Sequence, residues 1–287
     1  MRPAPEQWTR TSVDVEGPDG AMPLDVWTLG EAEAPQTVLA LHGFPQSARS
    51  WRAVGARLAG HGIRVVAPDQ RGYSPRARPE GVEPYRMSRL VDDALAVADG
   101  VGAERFHLLG HDWGAQVGWT LCERAPERVL SYTALSVPHP RAFATAYKED
   151  AEQRKASEYM RVFWQPEVAE RWLADDDWAG LRRMLTGLPA DEVEHYVMRM
   201  RDPGALTAAL AWYRAMESGA SAPATRVPTT YVWSTDDAAL RRSGAELCGE
   251  FVDADYRLVV LDGVSHWIPD EAPDAVAEAV LDRIERS

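Results

Sequence analysis

Cysteine is nearly absent from this sequence. Cys122 and Cys248 are the only two in 287 residues, far apart and each inside a helical pattern. A disulfide framework or a clustered cysteine metal site is therefore not expected, and two free buried thiols are. Lysine is also scarce, with Lys148 and Lys155 alone among 31 basic residues. That bias is typical of a GC-rich coding sequence and points to a bacterial source. Positive charge is in deficit overall: the net charge is −13, with no basic patch, which argues against nucleic acid and anionic lipid as partners. No apolar run reaches membrane-spanning length, and Met1-Arg2-Pro3-Ala4-Pro5-Glu6 lacks the apolar core of a signal peptide. With 45% hydrophobic and 26% charged residues, the composition is that of a soluble globular chain. The expectation is a cytoplasmic protein acting on a small molecule, neither membrane-bound nor nucleic-acid-bound.

What is present is an alternation of strand-like and helix-like segments. Thr11 to Glu16 and Leu24 to Leu29 read as strands joined at Gly17-Pro18-Asp19-Gly20, strong hairpin punctuation. Strand patterns follow at Thr37 to Leu41, Ile63 to Ala67, Phe106 to Gly110 and Val129 to Val137. Helical patterns lie between them, from Ser47 or Ser50 to Ala59, from Met87 to Asp99, and from the end of the Phe106 strand to Arg124. Such alternation predicts a mostly parallel sheet covered by helices on both faces, with ligands beyond the C-terminal strand ends. From His139 to Ala222 the strand rhythm disappears, helical periodicity takes over, and Trp164, Trp172, Trp178 and Trp212 accumulate. Strands resume at Thr229 to Trp233 and Tyr256 to Leu261, and a helix from Pro273 to Arg286 ends the chain. The expected organisation is a core built from residues 1–138 and 223–287, interrupted by an inserted helical cap at 139–222.

The most informative stretch is Phe106-His107-Leu108-Leu109-Gly110-His111-Asp112-Trp113-Gly114-Ala115-Gln116. An apolar strand stops at Gly110, turns through three residues to Gly114, and continues into a helix. Glycines on both sides let the backbone hold the central residue at strained dihedrals above the sheet. The pattern is G-x-D-x-G, the strand-turn-helix elbow of the α/β-hydrolase fold with aspartate where an esterase has serine. A carboxylate at a helix N-terminus is ionised at neutral pH and can attack a carbon without a general base. Taken alone, Asp112 could equally be a helix cap.

Other residues bear on that choice. Ser234-Thr235-Asp236-Asp237 follows one resumed strand and Gly263-Val264-Ser265-His266-Trp267 follows the other. An acid and a histidine downstream of the elbow reproduce the hydrolase order nucleophile, acid, base, with Asp112, Asp237 and His266 as the triad. Asp236 and Asp237 are adjacent, and one of them is a turn residue. His42-Gly43-Phe44-Pro45 follows the third strand, where hydrolases place one oxyanion donor, so the Phe44 and Trp113 N–H groups are the candidate oxyanion hole.

With these motifs in place, the chain resembles the α/β-hydrolase epoxide hydrolases, relatives of the haloalkane dehalogenases, over nearly its whole length. His42 to Pro45, Asp69 to Gly72, Gly110 to Gly114 and Ser265 to Trp267 stand where that family has its motifs. The family's relay acid lies in G-x-x-D, which selects Asp237, although Ser234 replaces the glycine. Two cap segments extend the likeness. Ser157 to Pro166 resembles the segment carrying the family's first ring-opening tyrosine, at Tyr159. Ala211-Trp212-Tyr213-Arg214 resembles N-W-Y-R, which carries the second, at Tyr213, with Ala211 in place of asparagine. The resemblance implies a small epoxide and water as the reactants, no metal or organic cofactor, a pocket lined by His42, Pro45, His111, Trp164 and Trp267, and a monomer or homodimer. Two rival readings stand beside it. A haloalkane or haloacid dehalogenase would use the same triad, with Trp113 as one halide donor but no second donor at Phe44. An idle ligand receptor would not need the complete set of catalytic groups.

Overall fold

The computed structural model describes residues 7–216 and 222–287. The expected leaderless start at Met1 to Glu6, and residues 217–221 near the end of the expected insertion, lie outside the described residues. The described strands form one eight-stranded sheet: β1 (Thr9–Gly17), β2 (Gly20–Leu29), β3 (Thr37–Leu41), β4 (Arg64–Pro68), β5 (Phe106–His111), β6 (Val129–Leu135), β7 (Thr229–Ser234) and β8 (Tyr256–Leu261). Their spatial order is β1-β2-β4-β3-β5-β6-β7-β8. The β1–β2 and β2–β4 pairings are antiparallel and the remaining pairings parallel. The hairpin closes with Gly17 opposite Gly20, so Pro18-Asp19 is the turn that its sequence anticipates.

The central strands are covered on both faces; β5 and β7 are buried at every residue, their His, Thr and Ser side chains included. On one face lie α1 (Arg52–Gly60) and, at the chain end, the helix Pro273–Glu285, whose Leu58, Val276 and Val280 pack with Trp51 against Val38, Val65 and Leu109. On the other lie α2 (Met87–Gly100) and α3 (Trp113–Arg124), which bring Leu90, Val97, Val117 and Leu121 against Leu39, Val66 and Leu108. At about 1.5–3 kcal/mol for each large apolar side chain removed from water, these two layers hold the C-terminal strand ends in fixed relative positions. The sheet, its order and its two helical layers are those of the α/β-hydrolase fold expected from the sequence.

After β6 the chain leaves the sheet. The helices are α4 (Pro140–Glu149), α5 (Ala151–Ala156), α6 (Tyr159–Phe163), α7 (Val168–Met184), α8 (Ala190–Arg201) and α9 (Ala205–Arg214), and no strand occurs among the described residues of this stretch. α4 packs on α10 (Arg242–Leu247) of the resumed α/β portion, whereas α6 to α9 pack on one another. α7 is broken in the middle, where Asp176, Asp177 and Trp178 take positive φ values of 52°, 51° and 64°.

Charged and polar bonds tie the inserted helices to the strand-end loops. From α8, Arg199 donates to Asp69 Oδ2 at 3.0 Å and to the Tyr73 carbonyl at 3.1 Å. Glu192 receives a two-pronged bond from Arg49 at 2.7 and 2.9 Å. Beside it, Gln46 donates to Asp270 Oδ2 at 2.6 Å. Burial and the neighbouring Glu192 charge push the Asp270 pKa up to about 7 despite the Gln46 bond. The folded state therefore holds this proton more tightly than the unfolded chain, whose aspartates titrate near 4. Folding is penalised progressively as pH rises from that value toward 7. Asp270→Asn, which can still accept the Gln46 bond, should melt at a higher temperature than the parent at pH 8 and lose that advantage at pH 4. Thermal melts at the two pH values test this, and an equal difference at both would disprove the linkage.

Candidate active site

The loop after β5 puts Asp112 at φ 51° and ψ −120°, a conformation that costs a non-glycine residue about 1–3 kcal/mol and persists only when its surroundings enforce it. The enforcement is close packing. A Cβ on Gly114 would lie 2.0 Å from the Leu41 carbonyl oxygen, and one on Gly110 would lie 2.5 Å from the Gly114 carbonyl oxygen. Only glycine lets α3 start this near β3 and β5. The Asp112 carbonyl accepts the first helical bonds, from Ala115 and Gln116 N–H at 3.0 and 3.1 Å, while its side chain turns toward the loop after β3. There the Phe44 N–H donates to Oδ1 at 2.7 Å, while the Trp113 N–H adds to the pull that holds the carboxyl's pKa down. Of the two N–H groups named from the sequence as the oxyanion pair, Phe44 is the one bonded to this carboxylate. Gly43 makes room for it, since a Cβ there would fall 2.2 Å from Oδ1.

Loops after β7 and β8 supply the other two polar groups. Asp237 is fully buried. Its Oδ1 accepts the Ala239 and Leu240 N–H groups at 2.8 and 3.0 Å, and its Oδ2 accepts His266 Nδ1–H at 2.9 Å. The neighbouring Asp236 bonds the Thr235 hydroxyl at 3.3 Å on the exposed side of the turn, so of the adjacent pair only Asp237 reaches the histidine. His266 Nε2 faces Asp112 Oδ2 at 3.7 Å, ion-pair distance but too long for a hydrogen bond. Burial works against charge on all three groups. For His266 the two carboxylates outweigh it and push the pKa up to about 10. For Asp112 and Asp237 the His266 charge and their N–H donors outweigh it and hold both carboxyls below the usual range.

Two tyrosines of the inserted helices meet at this carboxylate. Tyr159 opens α6 and Tyr213 lies near the end of α9, and their rings meet edge-on with centroids 6.3 Å apart. Burial first, and then the nearby Asp112 charge, raises the pKa of both, so each phenol stays protonated. Trp113 packs edge-on against the Tyr213 ring, centroids 5.0 Å apart. Tyr213 is fixed through both chain neighbours. Trp212 Nε1–H donates to the Arg71 carbonyl at 3.0 Å, and Arg214 grips Glu170 at 3.0 and 2.9 Å and the Phe163 carbonyl at 3.2 Å.

The five residues expected to line the pocket fall in different places. Trp267 stands edge-on to His266 at 5.0 Å, and Pro45 is buried beside the Phe44 donor. His42 and His111 are buried posts behind the site. His42 Nδ1–H donates to the Gly43 carbonyl at 3.0 Å while its Nε2 accepts the Gln70 N–H at 3.2 Å. His111 Nε2–H donates to the His266 carbonyl at 2.8 Å. Burial brings both imidazoles down to a pKa of about 4, so they are neutral supports. Trp164 is not at the site: it ends the α6 turn 45% exposed, because the adjacent Phe163 takes the inward direction and one residue further rotates the side chain about 100° away. Phe163 packs against Phe44, Tyr159 and Tyr213 at 5.5, 5.2 and 4.9 Å. Neither Phe163 nor two further groups were apparent in the sequence. Tyr73 is buried near Asp112 and Tyr213 with its hydroxyl unpaired. Ser136 follows β6 with its hydroxyl 2.6 Å from Asp237 Oδ2. The one signal available for Ser136 was its place just past a central parallel strand.

Residues 38–279 match the model of the alpha/beta hydrolase family. Over 268 residues, 90% of this chain and 93% of the relative, the chain is 34% identical to the AB hydrolase superfamily protein YfhM of Bacillus subtilis. It is 33% identical to Epoxide hydrolase A of Mycobacterium tuberculosis, with 96% of both chains covered. The crystal structure of Bacillus megaterium epoxide hydrolase in complex with an inhibitor superposes with a TM-score of 0.86 at 27% identity, covering 96% of this chain and all of that one.

Proposed function

This chain belongs to the alpha/beta hydrolase family, and on that premise we propose that it adds water to an epoxide, giving a vicinal diol through a covalent ester on Asp112. The observation that carries this reading is the pair of buried, protonated phenols, Tyr159 and Tyr213, that face the Asp112 carboxylate while the Phe44 N–H holds its Oδ1. An epoxide oxygen leaves as an alkoxide and needs a hydrogen bond or a proton as its bond to carbon breaks. The phenols supply it. With Oδ1 held by Phe44, Asp112 attacks the epoxide carbon through Oδ2, and Oδ1 becomes the ester carbonyl oxygen on the same donor. The inserted helices, residues 139–222, act as the cap that brings the phenols to the reacting atoms. Names of relatives agree with this activity. The dehalogenase alternative is disfavoured because Phe44, where a second side-chain halide donor would stand, offers only its backbone N–H to the carboxylate.

The second step needs a free base, yet His266 rests protonated between two carboxylates. Alkylation resolves this. Esterified Asp112 carries no charge, so one of the two carboxylates that raise the His266 pKa is gone, and the imidazole can release its proton as the product alkoxide gains one. His266, held by Asp237, then takes a proton from water as the hydroxide adds to the ester carbonyl. Collapse frees the diol and restores both the Asp112 carboxylate and the protonated His266, so the cycle closes with no net proton.

His266→Gln tests the division of labour. Alkylation should proceed, since the carboxylate needs no base, and ester hydrolysis should stall. Intact-protein mass spectrometry after mixing with styrene oxide should show one added epoxide mass on the variant. An inactive variant of unaltered mass would refute the covalent route.

A further inference from the structure

We propose that Ser136 is a positioning residue whose hydroxyl locks the Asp237–His266 pair in the orientation that hydrolyses the ester on Asp112. The proposal rests on the covalent reading above. Ser136 follows β6 and takes φ 70°, a left-handed conformation that serine adopts at a cost. Its backbone is held there from three directions. The Ser136 N–H donates to the Val232 carbonyl at 2.9 Å, the Val137 N–H donates to the Leu135 carbonyl at 2.9 Å, and the Tyr231 hydroxyl donates to the Ser136 carbonyl at 2.5 Å.

The consequence is that Oγ sits between the acid and the base, 2.6 Å from Asp237 Oδ2 and 2.9 Å from His266 Nδ1. Only one arrangement of protons satisfies these distances with Asp237 ionised: Ser136 O–H donates to Oδ2, and His266 Nδ1–H is shared between Oδ2 and Oγ. Asp237 then receives four donors, two on each oxygen, in a site where both Ser136 and Asp237 are wholly buried. An unfilled lone pair there could not turn to water. The serine bond does two things. It stops the carboxylate from rotating away from Nδ1, and it draws charge from Oδ2, which weakens the hold of Asp237 on the imidazolium and eases proton release once Asp112 is esterified.

The titratable groups facing His266 are Asp237, Asp112 and His111, and Tyr159 faces the same two carboxylates. Deleting the serine hydroxyl touches only Asp237 and His266 and leaves Asp112, His111 and Tyr159 in place, so a change in the pH profile of ester hydrolysis reports on the serine bond. Two variants separate hydroxyl from backbone. Ser136→Ala removes the hydroxyl and keeps the left-handed strain, whereas Ser136→Gly removes the hydroxyl and relieves the strain.

The experiment is single turnover of styrene oxide, with alkylation and ester hydrolysis followed separately by quench and intact mass, and with His266→Gln as control. In both variants alkylation should stay near the parent rate. Ester hydrolysis should slow by about 10- to 100-fold, the factor that a hydrogen bond to a charged group is worth, with transient adduct and with the ascending, acid-side limb of its pH profile moved to higher pH, because His266 must lose its proton to act as base. Hydrolysis at the parent rate in Ser136→Gly would overturn the proposal, because backbone conformation would then account for any defect in Ser136→Ala. Equal loss of both steps together with a lower melting temperature would also overturn it, as a structural role. If the His266→Gln control forms no adduct on Asp112, the covalent reading falls and this proposal with it. An adduct in the control beside unimpaired Ser136 variants overturns this proposal alone.

Discussion

Asp112→Asn should be folded and inactive, with turnover lost by a factor on the order of 10⁴ or more, the scale seen when a nucleophile of a concerted catalytic set is removed. The expectation is specific to the geometry. Asparagine tolerates the positive φ of 51° at this elbow better than most residues, and its amide oxygen can still accept the Phe44 N–H now 2.7 Å from Oδ1. The fold therefore has little reason to fail. What disappears is the attacking carboxylate and the charge that helps to keep His266 protonated. Turnover of styrene oxide by freshly purified protein, with the amide confirmed by mass to exclude deamidation, is the measurement. Parent-like turnover would rule out the ester on Asp112 and the mechanism built on it.

That a single carboxylate could be singled out without coordinates reflects where sequence is informative. The elbow was legible because close approach of α3 to β3 and β5 leaves no alternative to glycine at positions 110 and 114, and glycine spacing survives in a linear text. The strands were legible because burial on both faces favours apolar and β-branched residues, as in Val38-Leu39-Ala40-Leu41 of β3 and Val65-Val66-Ala67 of β4. His266 and Asp237 came from chain order and strand ends, which topology dictates. The inserted helices were a different matter. Tyr159 and Tyr213 came into view only through family likeness, since nothing in helical spacing tells a phenol that faces a reaction from one that packs a core. The phase of α6, five residues long, cannot be read from a repeat, and so Trp164 rather than Phe163 was expected at the pocket. Ser136 left no motif at all: its role depends on a positive φ and on two bonds to β7, a strand distant in sequence, through the Val232 carbonyl and the Tyr231 hydroxyl.

The experiment that best separates epoxide opening from halide displacement is removal of the two phenols. Tyr159→Phe and Tyr213→Phe should each slow alkylation of Asp112 by roughly 10- to 1,000-fold, by analogy with loss of one oxyanion donor, and the double variant should be nearly dead. The reason is differential: a hydrogen bond to an oxygen that gains negative charge on the way to the transition state strengthens as the barrier is climbed, so its loss falls on rate rather than on binding. Burial and the Asp112 charge keep both phenols protonated, so each has a proton to offer. Side effects on packing should be small. Tyr213 packs edge-on against Trp113 and Phe163 at 5.0 and 4.9 Å, and phenylalanine keeps both ring contacts. Tyr159 sits at the start of a short helix with its ring on Phe163, and phenylalanine preserves that contact. A departing halide needs no proton, so under the dehalogenase reading all three variants would alkylate on a haloalkane at the parent rate. Single-turnover alkylation with styrene oxide and with a haloalkane, supported by melting curves, distinguishes the cases. A folded double variant that opens the epoxide at the parent rate would show that neither tyrosine serves the leaving oxygen, and the epoxide assignment would lose the observation on which it stands.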